Sequence, residues 1–86
     1  MALLIDKQVT FSALRDVAFA TERKLLKSVS LFDVYEGDKL PEGKKSYALS
    51  FILEDKTRTL DEKTIEKAMR NLTAQFEQRC GAQVRG

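Results

Sequence analysis

The side chains able to do chemistry in this sequence are few, and they suit gripping a ligand better than making or breaking bonds. There is no histidine and a single cysteine, Cys80. That removes the usual general base, the usual metal ligand and any internal disulfide, and it fits a reducing compartment such as the cytoplasm. No nucleophile stands beside a base, no metal cluster has ligand spacing, and no phosphate-cradling loop is visible, so an enzyme working on its own is not expected. What remains is a set of groups suited to binding. Tyr35 offers a ring that can stack on a nucleobase. Ser46 offers a small hydroxyl that can donate to or accept from a base edge without blocking its approach. Arg85 offers a planar guanidinium that stacks or forks onto phosphate. Lys44 and Lys45 are candidates for phosphate contact at one shared edge. Asp33 is a carboxylate able to accept from a base amino group.

These groups need a scaffold, and hydrophobic periodicity supplies one. Ala2 to Asp6 is a short apolar run bounded by polar residues and reads as a strand. Thr10 can cap a following helix on which Leu14, Val17, Ala18, Thr21 and Leu25 recur at helical spacing. Lys27 to Glu36 is rich in β-formers and reads as a second strand. Gly37-Asp38 and Pro41-Glu42-Gly43 punctuate a polar loop. In the third strand, Lys45 to Asp55, Tyr47, Leu49, Phe51 and Leu53 take one face, while Ser46, Ala48, Ser50 and Ile52 take the other. After a polar connection, Asp61 is the expected helix cap, with Thr59 and Glu62 as a rival capping box. Ile65, Ala68, Met69, Leu72 and Phe76 follow along one helix face to a left-handed cap at Gly81. A last strand is predicted over Ala82 to Arg85.

Strand, helix, strand, strand, helix, strand is the α+β, ferredoxin-like βαββαβ pattern: a four-stranded antiparallel sheet with two helices on one face. Phe11, Leu14, Val17, Phe19, Ile65, Met69, Leu72 and Phe76 are assigned to its core or rim. The other face stays open. With Phe32 and Val34 directed to the helices, alternation turns Tyr35 to that open face, where Ser46 also points. At 86 residues, one domain spanning 1–86 is expected. A composition that is 43% hydrophobic and 33% charged is that of a folded domain, and no apolar run is long enough to span a bilayer. The opening residues lack the basic leader of a signal peptide. The net charge of +2 permits contact with a phosphate backbone without demanding it.

The fold alone does not choose a function. A metal chaperone would need a Cys-x-x-Cys. An acylphosphatase-like site would need an arginine in the loop from Asp6 to Val9. An RNA-recognition motif would carry aromatics where Ser46, Ala48 and Ser50 stand. A regulatory amino-acid-binding domain would need a glycine-rich turn after the first strand. None of these is present.

Three stretches in order resemble one family. They are Leu31-Phe32-Asp33-Val34-Tyr35-Glu36-Gly37; then Pro41-Glu42-Gly43-Lys44-Lys45-Ser46-Tyr47-Ala48-Leu49; then Arg58-Thr59-Leu60-Asp61-Glu62 with the long helix and the ending Cys80-Gly81-Ala82-Gln83-Val84-Arg85. Together they are similar to the C-terminal anticodon-binding domains of phenylalanyl-tRNA synthetase β subunits of the bacterial type, and the resemblance covers nearly the whole chain. It implies a ferredoxin-like fold and a role in gripping the anticodon stem-loop of the phenylalanine tRNA. By the same resemblance Tyr35, Ser46 and Arg85 match family positions, and the catalytic site lies elsewhere, on the α subunit of an (αβ)2 assembly. The full enzyme is expected to use ATP and Mg, and this domain to need no cofactor. Family members carry an aromatic-Pro segment and an Arg-Asp pair before the first strand, where this chain has Met1-Ala2. The chain is therefore expected to be a piece of a longer β subunit. The alternative is a non-catalytic protein-interaction or dimerisation module that uses the open sheet face or its edges.

Overall fold

The structure, a computed structural model, describes residues 1–37 and 39–84. The chain runs β1 (Ala2–Asp6), α1 (Phe11–Thr21), β2 (Leu26–Tyr35), β3 (Lys44–Leu53), α2 (Glu62–Cys80) and β4 (Gln83–Val84). The strands form one antiparallel sheet in the order β2-β3-β1-β4. This is the ferredoxin-like α+β arrangement expected from the sequence.

Both helices lie on the same side of the sheet because both present an apolar stripe to it. Leu14 and Ala18 of α1 are sealed, as are Ala68, Leu72 and Phe76 of α2, one helical turn apart. Leu14, Ala18, Leu72 and Phe76 join Leu3 and Ile5 of β1 and Leu49 of β3 in one core. The Phe76 ring stacks on Phe51 of β3 with centroids 6.2 Å apart. Asn71 Nδ2 of α2 donates to Glu22 Oε1 at the end of α1 at 3.1 Å. Ile65 lies at the rim and is exposed.

At three of the element ends that differ from the sequence expectation, a specific hydrogen bond competes with periodicity. Helix α1 stops at Thr21, so Leu25 leaves the helical stripe. The Leu25 carbonyl instead accepts from Glu54 N–H at 2.7 Å, and Leu26 opposes Leu53 in the sheet. Strand β3 stops at Leu53. Asp55 Oδ1 takes the Thr57 backbone N–H at 2.9 Å and its hydroxyl at 2.8 Å, folding the connection into an Asx turn. Strand β4 begins at Gln83 because Ala82 belongs to the helix stop: Gly81 sits at φ 62°, and both it and Ala82 donate to the Phe76 carbonyl.

Each helix begins at a side-chain cap. Thr10 Oγ1 accepts from Ala13 N–H at 3.1 Å, and Asp61 Oδ1 accepts from Thr64 N–H at 2.8 Å, so Asp61 is the cap of α2 and Thr59 is not. The hydrogen bonds from Thr64 hold the Asp61 carboxyl below its ordinary 3.8. A group whose folded-state pKa is depressed contributes stability above its unfolded value and loses it as pH falls through the folded one. Asp61→Asn keeps a capping oxygen without the charge. The urea midpoint of Asp61→Asn should therefore fall below wild type at neutral pH and converge with it once pH is well under 3.8. A gap that persists unchanged into acid would show that the charge of Asp61 contributes nothing to the cap.

Candidate functional site

The uncovered side of the sheet can be read from the strand register, since directly opposed residues of an antiparallel ladder point to the same side. Leu3 opposes Tyr47, Ile5 opposes Lys45, and Leu49 opposes Leu31. Leu3, Ile5 and Leu49 are in the core, so these pairs face the helices. The alternate residues face away: Ala2, Leu4 and Asp6 of β1, Lys44, Ser46, Ala48 and Ser50 of β3, and Gln83 of β4.

On β2 a bulge decides the matter. Leu31 opposes Leu49 and Asp33 opposes Ala48, which leaves Phe32 as an extra residue without a partner. Before the bulge, the odd-numbered residues Val29 and Leu31 face the helices. After it the phase is reversed: Val34 opposes Tyr47 on the helix side, while Asp33 and Tyr35 turn to the open side. Without that extra residue both would point the other way. The expectation that Phe32 packs toward the helices with Val34 is thereby corrected. Phe32 is 67% exposed, because the inserted residue falls outside the alternation.

One row of the open face runs across all four strands in register: Tyr35, Ser46, Leu4, Gln83. With strands about 4.8 Å apart, three steps make it about 14 Å long, room enough for one nucleobase laid along it. The neighbouring row is Asp33, Ala48, Ala2. Ser46, Ala48 and Ala2 have short side chains, so the floor is low between Tyr35 on one side and Gln83 on the other. Leu4 is 8% exposed and gives the floor an apolar centre. Tyr35 is 44% exposed at the end of β2, as a stacking ring has to be.

The lysines part company. Lys44 lies on the open side at the end of the rows, where its Nζ pairs with Asp6 Oδ1 across the β1–β3 ladder. Lys45 is next in sequence and so points to the opposite side. It is 7% exposed, donates from Nζ to Tyr47 Oη at 2.9 Å and sits 4.5 Å from the centre of the Tyr47 ring. The two therefore do not serve one edge, and Lys45 is placed as a packing residue, its ammonium satisfied by its own strand. Lys27 is also engaged, 2.8 Å from Glu54 at the far end of β2. Arg85 lies outside the described residues. Burial pushes the Cys80 thiol up, against a smaller lowering pull from Arg79, which leaves it a weak nucleophile at neutral pH. Among the described residues no group of His, Cys, Asp and Glu is placed to hold a metal ion, and no helix is long and apolar enough to cross a membrane.

A ferredoxin-like fold hosts many functions, and sequence comparison separates them. Residues 1–85 match the family model of the ferredoxin-fold anticodon binding domain. The chain belongs to this family. Its curated relatives include the phenylalanine–tRNA ligase beta subunit of Bacteroides fragilis, 53% identical over 85 residues, and that of Bacteroides thetaiotaomicron, 51% identical over 85. Each alignment covers 99% of this chain and 10% of the relative. The phenylalanine–tRNA ligase beta subunit of Geobacillus kaustophilus is 41% identical over 86 residues, covering 100% of this chain and 11% of the relative. The chain thus spans about a tenth of the length of these relatives.

Of the candidates named from the sequence, the structure places Tyr35, Ser46, Asp33 and Lys44 on one face of this fold. Leu4 and Gln83 share that face and were not among the candidates. Leu4 sits in an unbroken apolar run, Ala2-Leu3-Leu4-Ile5, that gives no sign of which residues face outward. Gln83 joins the row only through the β1–β4 register. A signal at the bulge was present as Leu31-Phe32, two large apolar residues side by side.

Proposed function

We propose that the open face of this domain binds the anticodon stem-loop of the phenylalanine tRNA. On this reading the chain is a non-catalytic domain of a longer β subunit of a cytoplasmic phenylalanine–tRNA ligase. The ATP- and Mg-dependent chemistry would lie on the α subunit of an (αβ)2 enzyme. The observation that carries the reading is the Tyr35–Ser46 pair, an exposed ring and a small hydroxyl directly opposed on the face that the helices leave bare. Tyr35 stacks on an anticodon base, and Ser46 hydrogen-bonds its edge. Asp33 stands in the adjacent row with a carboxylate for a base amino group. Lys44 meets phosphate by exchanging its partner Asp6 for the RNA backbone. Arg85, following Val84 at the end of β4, is assigned the guanidinium contact on the strength of the sequence resemblance.

The test is a titration of the isotopically labelled chain with a synthetic anticodon stem-loop, followed by amide shifts. Shifts should concentrate on Asp33, Tyr35, Ser46, Ala48, Leu4 and Gln83, weaken with added salt, and be smaller for a hairpin with an altered anticodon. Shifts confined to α1 and α2, or equal for any hairpin, would remove the open face as the reading surface. A stable homodimer that buries this face and is unmoved by RNA would favour a protein-interaction role instead.

A further inference from the structure

Gly37, two residues beyond Tyr35, is where the ring comes to rest. A Cβ built on Gly37 would stand 2.5 Å from Tyr35 Oη, 2.7 Å from Cζ and 3.2 Å from Cε1. Real Cβ atoms essentially never show contacts below 3.0 Å, and the group that can give way here is the far end of the Tyr35 side chain. The outer edge of the ring therefore lies against the backbone at 37, in space that any other residue would occupy. Backbone freedom is not the reason for a glycine here. Among the described glycines, positive φ occurs at Gly43 and Gly81 only. The seat itself is held. The Gly37 carbonyl accepts from Leu40 N–H at 3.1 Å, closing a turn, and the same loop is tied to the end of β1 where Lys7 N–H donates to the Gly43 carbonyl at 2.9 Å.

We propose that Gly37 is the positioning residue for Tyr35: by lacking a side chain it lets the loop backbone brace the ring and set its tilt beside Ser46. The consequence for binding rests on the reading of Tyr35 as a base-stacking group. A ring already braced in the free protein has less rotamer freedom to lose when a base docks, and it presents its face in one orientation. Any Cβ at 37 displaces it. Because φ at Gly37 lies outside the left-handed region, alanine is tolerated by the backbone and the fold should not weaken. The effect of Gly37→Ala is thus confined to the ring.

Two measurements test this on the 86-residue chain. The first uses the free protein. In wild type the Gly37 α-protons should carry a ring-current shift that disappears in Tyr35→Ala. In Gly37→Ala the Tyr35 ring signals and the Ser46 amide should move, while the urea midpoint does not fall. The second uses the synthetic anticodon stem-loop in a double-mutant cycle. Gly37→Ala should weaken binding by about tenfold when Tyr35 is present, within the range of a lost base–aromatic stack, and by less than about twofold in the Tyr35→Ala background. Unmoved ring signals in Gly37→Ala overturn the proposal, and so does an equal loss of affinity in both backgrounds. If wild type fails to bind the hairpin, the RNA reading falls, and the free-protein signals alone decide whether Gly37 seats the ring.

Discussion

Phe76→Ala should cost the fold about 3–5 kcal/mol, the largest stability loss expected of any single truncation in this chain. A chain of 86 residues has roughly 4–13 kcal/mol in total, so the variant should lose between about a quarter and all of its stability. The size of the effect follows from what surrounds the ring. Phe76 is fully buried and belongs to a core whose other walls are strand residues Leu3, Ile5 and Leu49 and helix residues Leu14 and Leu72. Its stacking partner Phe51 sits on the sheet, which cannot move inward to fill a cavity without breaking the β2–β3 and β1–β3 ladders. Phe76→Leu, which leaves a smaller void, should lose markedly less. Urea unfolding followed by circular dichroism measures both. A loss below about 1 kcal/mol for Phe76→Ala would mean that the helix–sheet interface is not packed through this ring.

Tyr35→Ala should leave stability nearly unchanged and remove about 1–3 kcal/mol from binding of the anticodon stem-loop, a loss of roughly 5- to 150-fold in Kd. The contrast with Phe76 is one of location. Tyr35 is 44% exposed at the end of an edge strand and covers little of the core. The loss should come without a change in the salt dependence of binding, because stacking involves no counterion release. Lys44→Ala should behave the other way, weakening binding of all hairpins alike and lowering the salt slope. Tyr35→Phe keeps the ring and should retain most of the affinity. A Kd for Tyr35→Ala within twofold of wild type, measured by fluorescence anisotropy with a labelled hairpin, would take the ring out of the interface.

Much of the architecture was legible in the residues because local rules and the global fold agree. Thr10 and Asp61 cap where capping residues are expected, the stripe through Ala68, Leu72 and Phe76 is buried as its spacing implies, and Gly81 stops α2 in the left-handed conformation. Where local rules and tertiary pairing conflict, pairing won. Leu25 fits the helical stripe of α1, yet its carbonyl is needed at the end of the sheet. Ala82 fits a strand, yet its N–H closes the end of α2. In both places a hydrogen bond to a distant or competing group outweighs the small preference that periodicity expresses.

The site divides the same way. Residue types alone determined that this chain carries an aromatic ring, a small hydroxyl, a carboxylate and ammonium groups able to bind, with no histidine and a single cysteine. The βαββαβ order also determined that one sheet face would be bare. The sequence placed Tyr35 and Ser46 on that face, Tyr35 by a phase that the structure corrects; how β2 delivers its residues there was settled only in three dimensions. The unpaired Phe32 reverses the phase of β2 and delivers Asp33 and Tyr35 to the open side, and strand alternation sends Lys45 to the side away from Lys44. Side-chain direction in a strand repeats every two residues, so one inserted residue exchanges the faces of everything beyond it, and only the partner strand's register reveals where the insertion falls.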